Sequence, residues 1–531
     1  MKQGVKHTLQ RAEKFKSILA IEGILVGFVV GIIIVSYRFC LSQASLWLHS
    51  IISWASGNPI RVLLWFFVLA MIAYVVSFLL KWEPLISGSG IPQLEAEMQE
   101  KISTNWWKVL SAKFLGGFLC LFAGLSLGRE GPSIQLGAMS AKGVSKIMKR
   151  GKSEERYLLT CGASAGLSAA FHAPLAGVMF AIEEVHKHFT PALLISVMCS
   201  SIASDFLMSY ILGMKPVFSF DLPSSLPRDY YLLLVILGVV LGICGAIYNK
   251  GLLWFQSLYR RSKRLTLYQK LCIPFFFAGV VAFTLPDILG GGDLLVEKLI
   301  AGEYSLHLLF ILLVAKFLFS CICFGSGAPG GIFFPLLVMG CLIGGFYANL
   351  CVLYFHVEPQ FINNFVLLSM AGFFTAIVRA PMTGIILIFE MTGSLTHLFA
   401  ISLITIVSYI VADLLKAKPI YDSLLENLLA NRKDTNIEVK NIDQKVLMEF
   451  MVTYHSKLNG KLVKDVQWPD CLIVALRRGE KEFLPKGATY ICAGDVLITM
   501  SNEKVSSEVY DRMSELCESA MMEENNETGN L

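Results

Sequence analysis

The chain has 531 residues, of which 55% are hydrophobic and 16% charged, and its formal net charge is +5. Its mean hydropathy is +0.62. Soluble domains carry about 45–50% apolar and about 25% charged residues, so this composition excludes an ordinary soluble enzyme. Uncharged runs alternate with short polar stretches between residues 17 and 418. This pattern predicts an all-α polytopic membrane protein whose surroundings are a lipid bilayer.

The basic residues are clustered beside apolar runs and do not form a stripe interleaved with aromatic side chains, which argues against nucleic acid as a partner. The clusters lie at 2–16, 142–156, 260–270 and 416–418. Because short loops rich in Lys and Arg stay in the cytoplasm, we predict a multi-pass protein of the cell membrane with both termini cytoplasmic. Residues 1–16 are predicted to form an uncleaved amphipathic N-terminal helix.

The first break in the apolar pattern is Gly88-Ser89-Gly90-Ile91-Pro92. It places the Ser89 hydroxyl between two glycines, just before a proline that favours the first turn of a helix. The free backbone amides of a helix start attract anions, so the motif predicts an anion site. Taken alone, close helix packing through small residues is the commoner explanation of such a motif in membranes.

The second break, Gly128-Arg129-Glu130-Gly131-Pro132, places an ionisable carboxylate at a helix start inside an apolar region. An acid at membrane depth is a functional candidate by default. Glu130 can carry a proton and, as a carboxylate, can itself occupy an anion site, so one side chain could couple the two ions. The alternative is structural, with Glu130 capping a helix or pairing with Arg129.

The third break, residues 325–335, contains four glycines before another helix start. The amides of Ile332 and Phe333 are the expected donors there, and together with the first break they would bind a monovalent anion through partial charges. Two patterns also recur at nearly the same spacing. Gly128 and Pro132 correspond to Gly331 and Pro335, and Ala-Pro at 173–174 with a later Glu183 corresponds to Ala-Pro at 380–381 with Glu390. This weak duplication indicates a transporter-type fold, without fixing whether its halves are parallel or inverted.

The composition changes beyond residue 418. Residues 426–441 read as a linker, residues 442–518 as a small α+β cytoplasmic domain, and residues 519–531 as a disordered tail. Within the domain we predict strands at 471–476 and 495–500 and a helix at 503–517. The thirteen cysteines include no Cys-x-x-Cys pair, so we expect no disulfide framework, no metal site and no cofactor.

The three breaks, together with Tyr421 in Lys418-Pro419-Ile420-Tyr421, resemble the CLC family of chloride channels and proton/chloride exchangers over residues 17–425. The resemblance implies an inverted repeat of tilted, partly re-entrant helices and a homodimer in which each subunit has its own pore. It also implies that Ser89 and Tyr421 coordinate a central chloride, that the amides of Ile332 and Phe333 complete this site, and that Glu130 is the gating glutamate.

Exchangers of this family usually carry a second glutamate near the cytoplasmic face, and Glu184 stands at the matching position. Without the resemblance, Glu183 and Glu184 would be read as a solvated or salt-bridged pair. We therefore predict a secondary active antiporter in which Glu184 transfers protons internally, with a passive chloride channel on the same scaffold as the alternative. With Ser89 and not Pro or Met at the centre of this motif, the chain resembles the chloride-preferring members of the family.

The C-terminal domain resembles the C-terminal subdomain of regulators of potassium conductance, the TrkA type, over residues 462–500. This implies regulation or dimer contacts, with a small ligand such as a cyclic dinucleotide as a candidate partner. Two rivals are weaker. An intramembrane aspartyl protease would use Asp293 and Asp422, but the order of its motifs is reversed here. A cation transporter would need a carbonyl filter, which the sequence lacks.

Overall fold

The computed structural model of the chain describes residues 2–213, 226–262, 264–392, 397–432, 445–454, 456–479, 481–502 and 505–517. The chain divides into two compact units, Met1–Val439 and Lys440–Leu531. The described part of the first unit is helical, and the second unit combines one sheet with a helix. The predicted division into an all-α membrane part and a small α+β part is therefore confirmed.

The first unit consists of two successive sets of helices. Helices α1 to α8 span Lys2–Ala55, Pro59–Trp82, Ile91–Met98, Trp106–Phe122, Glu130–Ile147, Lys152–Phe171, Pro174–Phe180 and Pro191–Leu212. Helices α9 to α17 span Tyr231–Arg261, Leu267–Thr284, Asp293–Ile300, Leu306–Gly325, Phe333–Phe355, Ile362–Val378, Pro381–Thr392, Leu398–Leu414 and Ile420–Arg432. A π-helical turn, Ala181–His186, continues α7.

Eight helices in the described ranges are long and apolar enough to cross a bilayer. They are Lys16–Ala55, Pro59–Trp82, Pro191–Leu212, Arg228–Arg261, Leu267–Thr284, Leu306–Gly325, Phe333–Phe355 and Pro359–Val378. Other helices are too short: α3 has eight residues, which gives it a length of about 12 Å against a hydrocarbon core of about 30 Å. Helices of this length cannot span the hydrocarbon core, which is consistent with the partly re-entrant helices that the family resemblance implies.

The two sets of helices repeat the same order in opposite orientation. Helices α2 and α10 each precede a short helix, α3 and α11. The Phe66 ring lies 5.5 Å from the ring of Phe276, and the Tyr74 ring lies 5.8 Å from that of Tyr268. Because residue numbers rise along α2 as they fall along α10, the two equivalent helices are antiparallel. The duplication seen in the sequence is therefore an inverted repeat.

Reciprocal hydrogen bonds join the two halves at their centre. The amide of Gly128 donates to the carbonyl oxygen of Gly331 over 2.6 Å, and the amide of Gly331 donates to the oxygen of Gly128 over 2.8 Å. Each half also uses one fully buried lysine to bind a loop. Lys113 Nζ donates to the carbonyls of residues 86 and 88, and Lys316 Nζ to those of residues 288 and 290. Lys316 is therefore paired with carbonyl groups of its own half.

Glu183 and Glu390 each cap a helix start in the opposite half of the repeat. Glu183 accepts hydrogen bonds from the amide and hydroxyl of Thr383, over 2.9 and 2.8 Å, at the start of α15. Glu390, on α15, accepts from the amides of Leu175 and Ala176, over 2.9 and 2.7 Å, at the start of α7. Each carboxylate thus satisfies amides that a helix start leaves unpaired. The interpretation of Glu183 as a solvated or salt-bridged residue was wrong, because its partner lies in the other half of the repeat.

The second unit contains an antiparallel sheet in the order β1-β4-β2-β3. Its strands are β1 Lys445–Met451, β2 Cys471–Arg478, β3 Lys481–Phe483 and β4 Asp495–Asn502, followed by helix α18, Ser506–Cys517. Phe450, Leu476, Leu497 and Met513 belong to its buried core. The strands predicted at 471–476 and 495–500 and the C-terminal helix are confirmed, whereas β1 and β3 were not individually predicted.

Two predicted boundaries differ from the helices observed. Helix α1 runs without interruption across the boundary predicted at residue 16, and α17 continues to Arg432, past the boundary predicted at residue 425. The extension of α17 has a packing cause, because Leu428 and Leu429 lie against the apolar core. The remainder of the predicted linker, at 433–441, and the predicted disordered tail, 519–531, lie outside the described residues.

Candidate anion and proton pathway

Ser89 lies buried in the loop before α3. Its glycine neighbours have φ angles of +63° and +90°, in the left-handed region that glycine adopts without strain. The Ser89 hydroxyl oxygen accepts a 3.4 Å hydrogen bond from the amide of Ile91. A Cβ on Gly90 would lie 2.3 Å from Gln135 Oε1, so this loop packs directly against α5. The sequence around Ser89 thus forms a fixed, buried helix start.

Glu130 is the first residue of α5, and its side chain is fully buried. Apart from its own amide, no described group hydrogen-bonds to its carboxylate oxygens. Arg129 Nε lies 3.5 Å from Oε1. A Cβ on Gly128 would lie 2.6 Å from Oε2, so the carboxylate folds back over that glycine. Buried polar groups are normally fixed by hydrogen bonds, so this carboxylate is free to rearrange in a way that most buried acids are not.

The three predicted helix starts meet at one place. A Cβ on Gly131 would lie 3.0 Å from the carbonyl oxygen of Ser89 and 3.1 Å from Gly331 Cα. The amide of Gly330 donates to the carbonyl oxygen of Gly88 over 3.0 Å. Helix α13 begins at Phe333, immediately after Ile332. The unpaired amides of these helix starts give the site a partial positive charge.

Tyr421 approaches the same place from α17. Its side chain is fully buried, and its hydroxyl has no hydrogen-bond partner among the described residues. The centroid of its ring lies 6.4 Å from that of Phe180, which in turn lies 5.8 Å from that of Phe333. The structure therefore brings together Ser89, Glu130, the Ile332 and Phe333 helix start, and Tyr421, although they come from four separate stretches of sequence.

Glu184 lies on the π-helical turn after α7, with only 6% of its surface exposed. Its Oε1 atom has no hydrogen-bond partner within the described part of the chain. The charges of both Glu184 and Glu130 act on the Tyr421 hydroxyl. The second predicted glutamate thus lies within electrostatic range of the site without belonging to one of its three helix starts.

Among the described residues, a larger and a smaller cavity adjoin the site. The larger, of about 400 Å³, is lined by residues 41–49 of α1, the loop that carries Arg129 and Glu130, and residues 286–294. The smaller, of about 120 Å³, is lined by residues 87–89, Gln256 and α17. Gln256, in the smaller cavity, lies near the end of α9, and residue 286, in the larger cavity, follows α10. Helix α10 crosses the unit between these two points. The cavities therefore open on opposite faces, one at Glu130 and the other at Ser89.

Asp293 also lines the larger cavity, which the sequence did not predict. It begins α11, and its Oδ1 lies 3.9 Å from Arg129 Nη2, so Arg129 lies between two carboxylates. The only signal was the Gly-Gly-Gly-Asp run that suggested a protease. Asp422 is on α17, which lines the opposite cavity, and it pairs with Lys187. The two aspartates thus lie near opposite faces and form no catalytic pair.

Within the described residues, no group of three or more His, Cys, Asp or Glu side chains could hold a metal ion. The thirteen cysteines all belong to described segments and are free thiols. The site is therefore built from helix starts, two carboxylic acids, a serine and a tyrosine. This donor set suits a weakly held anion and a mobile proton.

Known proteins are similar to this chain over most of its length. The family model described as voltage gated chloride channel matches residues 72–413, and that of the TrkA-C domain matches residues 447–514. The H(+)/Cl(-) exchange transporter ClcA of Yersinia pestis is 32% identical over 81% of this chain and 92% of its own length. The same-named protein of Vibrio parahaemolyticus is 34% identical over 78% of this chain and 90% of its own length.

Solved structures give the same result. A crystal structure of a slow cyanobacterial Cl-/H+ antiporter is similar with a TM-score of 0.75 and 29% identity, over 78% of this chain and 99% of that one. A eukaryotic CLC transporter shares the fold at a TM-score of 0.65 and 20% identity, over 78% of this chain and 74% of that one.

Proposed function

This chain belongs to the voltage gated chloride channel family, and from that premise we propose that it is a secondary active antiporter that exchanges chloride for protons across a membrane. Relatives that align over most of its length are named H(+)/Cl(-) exchange transporters, which favours exchange over passive conduction. It is a transporter and not an enzyme.

The observation that carries the proposal is the buried carboxylate of Glu130, which lies between the larger cavity and a cluster of helix starts. Its oxygens lack fixed hydrogen-bond partners among the described residues other than its own amide. In its charged form the carboxylate competes with chloride for the partial positive charge of the helix starts. In its protonated form it loses that attraction and leaves the site to chloride. Proton binding and chloride movement are thereby linked through one side chain.

We assign the chloride-binding roles to Ser89, the amides of Ile332 and Phe333, and Tyr421. The serine and tyrosine hydroxyls can donate hydrogen bonds to an anion, and the Tyr421 hydroxyl is buried without a described partner. Partial charges hold a dehydrated anion firmly enough to select it and weakly enough to release it. The same helix starts repel cations, which argues against the cation transporter.

Glu184 supplies protons to Glu130 from the cytoplasmic side. Its burial and its unpartnered oxygen suit a group that gains and loses a proton. Because the charges of both glutamates act on Tyr421, the proton path and the anion path run close together. A passive channel on the same scaffold would need no such internal acid.

The orientation follows from the basic loops. Residues 260–270 are rich in Lys and Arg and therefore lie in the cytoplasm. They join α9 to α10 on the face of the smaller cavity, so Ser89 and Tyr421 face the cytoplasm and Glu130 faces outward. Both termini are cytoplasmic, and the protein resides in the cell membrane.

Two further features of the proposal concern assembly and regulation. The chain forms a homodimer in which each subunit transports independently. The TrkA-C domain at residues 447–514 regulates transport, with a small ligand such as a cyclic dinucleotide as its candidate effector. Chemical cross-linking in membranes tests the first feature, and calorimetric titration of the purified protein with cyclic dinucleotides tests the second.

The exchange itself is tested by reconstituting the purified protein in liposomes. Chloride efflux and external pH are recorded together, while potassium and valinomycin set the membrane potential. A chloride gradient should drive protons uphill in the opposite direction. Chloride flux with no proton movement in response to any gradient would instead identify a passive channel and would remove the assigned role of Glu184.

A further inference from the structure

Lys187 joins three elements of the transport site. It follows the π-helical turn, with a left-handed φ of +58°. Its ammonium group donates hydrogen bonds to Glu95 Oε1 on α3 and, over 2.7 Å, to Asp422 Oδ1 on α17. Helix α3 follows Ser89, the π-helical turn carries Glu184, and α17 carries Tyr421 next to Asp422. One side chain therefore ties together the segments that carry three of the proposed site residues.

The charges around Glu184 are unbalanced without Lys187. The charged groups that act most strongly on Glu184 are, in order, Lys187, Glu95, Asp422 and Glu183, which are one cation and three carboxylates. Lys187 is therefore the main counter-charge for the proposed proton donor. Glu95 Oε2 is also buried without a hydrogen-bond partner in the described part of the chain, so the pairing of Glu95 depends on its other oxygen.

The same cluster extends from solvent to the interior. The side chains of Lys187 and Asp422 are 36% and 41% exposed, whereas that of Glu95 is 3% exposed. Glu184 is also buried, and the charges of all three residues act on it. Water can therefore reach Lys187 and Asp422, whereas Glu95 and Glu184 lie in the interior.

The other polar groups near the π-helical turn lie on the turn itself, directly after it and on α6. His186 is hydrogen-bonded through Nδ1 to the hydroxyl of Thr160 over 2.9 Å, and its ring lies 5.7 Å from that of Tyr157. Arg156 and His188 act on His186. Glu183 is held by the start of α15. Lys187, in contrast, directly contacts two of the carboxylates that act on Glu184, those of Glu95 and Asp422.

We propose that Lys187 is a positioning residue for proton transfer, which holds Glu95 and Asp422 within electrostatic range of Glu184 and supplies the charge that lets Glu184 release its proton. This inference rests on the proposed exchange function. When Lys187 is present, Glu184 can cycle between its charged and neutral forms. When Lys187 is absent, the three neighbouring carboxylates keep Glu184 protonated up to a higher pH, so proton delivery to Glu130 falls at neutral pH while the anion path stays open.

The test compares Lys187→Met with Asp422→Asn in reconstituted liposomes, with proton and chloride fluxes measured together over a series of cytoplasmic-side pH values. Loss of a nearby cation makes a carboxyl group retain its proton, so Lys187→Met should shift the pH profile of proton flux upward by about one unit. Loss of a nearby carboxylate has the opposite effect, so Asp422→Asn should shift the profile downward.

Two controls complete the design. Lys187→Arg keeps the positive charge and should therefore show the same pH profile as the wild type. Lys418→Met removes a lysine from an exposed pair with Glu426 and should leave the profile unchanged. A purely structural role for Lys187 would lower both fluxes together and move both test variants in the same direction. Profiles unshifted in both test variants, or shifted in the same direction, would overturn the proposal. Absence of proton flux in the wild-type protein would instead refute the exchange function itself.

Discussion

At the scale of single residues, the mechanism depends on which polar groups the fold leaves without a fixed partner. Lys113 and Lys316 are fully buried, but each is satisfied by two carbonyl oxygens, so they stabilise loops. The carboxylate of Glu130 and the hydroxyl of Tyr421 are equally buried and have no such partners in the described ranges beyond the amide of Glu130 itself. Leaving a buried polar group unpaired is costly, and at these positions the cost is consistent with a site that binds ions.

Replacing Glu130 with Gln should uncouple the two ions. The amide is similar in size but cannot bind and release a proton, so proton flux should fall by about a hundredfold or more while chloride still passes. The assay is simultaneous recording of chloride and proton flux in liposomes. Arg129→Gln, which leaves the carboxylate intact, serves as the comparison and should retain coupling. Coupled exchange that persists in Glu130→Gln would contradict the gating role.

Glu184→Gln should act on the proton alone. The side chain lies outside the cluster of helix starts, so its replacement leaves the anion path intact while removing the internal proton donor. Proton flux driven by a chloride gradient should disappear, and chloride flux should continue. The matched comparison is Glu183→Gln, whose side chain accepts hydrogen bonds from α15. If proton flux is lost only in the Glu183 variant, the two neighbouring acids have been assigned the wrong roles.

Gly128→Ala tests the folded-back position of the Glu130 carboxylate. The new Cβ would lie 2.6 Å from Glu130 Oε2 and 3.1 Å from the amide of Phe334. The flexible carboxylate is the atom group that can move, so the methyl group should displace it from the site and raise chloride flux at neutral pH relative to wild type. Measurement of chloride flux against external pH checks this result. A pH dependence identical to that of the wild type would mean that the carboxylate does not rest over Gly128.

At the scale of elements, the sequence revealed where helices begin but not what their ends contact. Gly-rich breaks followed by Pro predicted the starts of α3, α5 and α13, because those residues have strong local preferences. The π-helical turn at Ala181–His186 was not predicted, since no local residue pattern distinguished it from a continued α-helix. The partners of Glu183, Lys187 and Asp293 were also missed, because each lies far away along the chain and is brought near only by the tertiary fold.

The reciprocal caps should contribute to stability from both halves. Glu390→Ala leaves the amides of Leu175 and Ala176 without their acceptor at the start of α7. Loss of a cap costs about 0.5–2 kcal/mol, so the melting temperature in detergent should fall, and Glu183→Ala should lower it to a similar degree. Glu303→Ala, at an exposed position after α11, provides the control. A melting temperature unchanged in both cap variants would show that water satisfies these amides equally well.

At the scale of the whole molecule, the inverted repeat explains why one chain presents helix starts from two directions. A helix start has a fixed polarity, so a single set of parallel helices would direct its unpaired amides toward one face. Two halves of opposite orientation direct them toward a shared centre, where Gly128 and Gly331 exchange hydrogen bonds. The sequence predicted the duplication from a few recurring residues. The residue pattern did not fix the orientation of the two halves, because orientation depends on how many times the intervening helices cross. The inversion was implied by the family resemblance, and the antiparallel α2 and α10 confirm it.

Removal of the second unit should leave exchange intact. A chain that ends after Arg432 retains every residue assigned to the chloride and proton paths, and the second unit has its own apolar core. Compact units with separate cores generally fold independently, so the shortened protein should reconstitute and show the same ratio of protons to chloride as the full chain. The absolute rate is free to change, because a regulatory domain acts on the rate of transport and not on its coupling.

The decisive comparison is therefore the ratio of the two fluxes, measured for the shortened and full-length proteins in parallel liposome preparations. The same truncation combined with Glu130→Gln controls for leak and should show chloride flux without protons. A preserved ratio would assign coupling entirely to the membrane unit. If the shortened protein reconstitutes and carries chloride but no protons, then the second unit takes part in proton delivery, and the assignment of that step to Glu184 and its neighbours alone would be wrong.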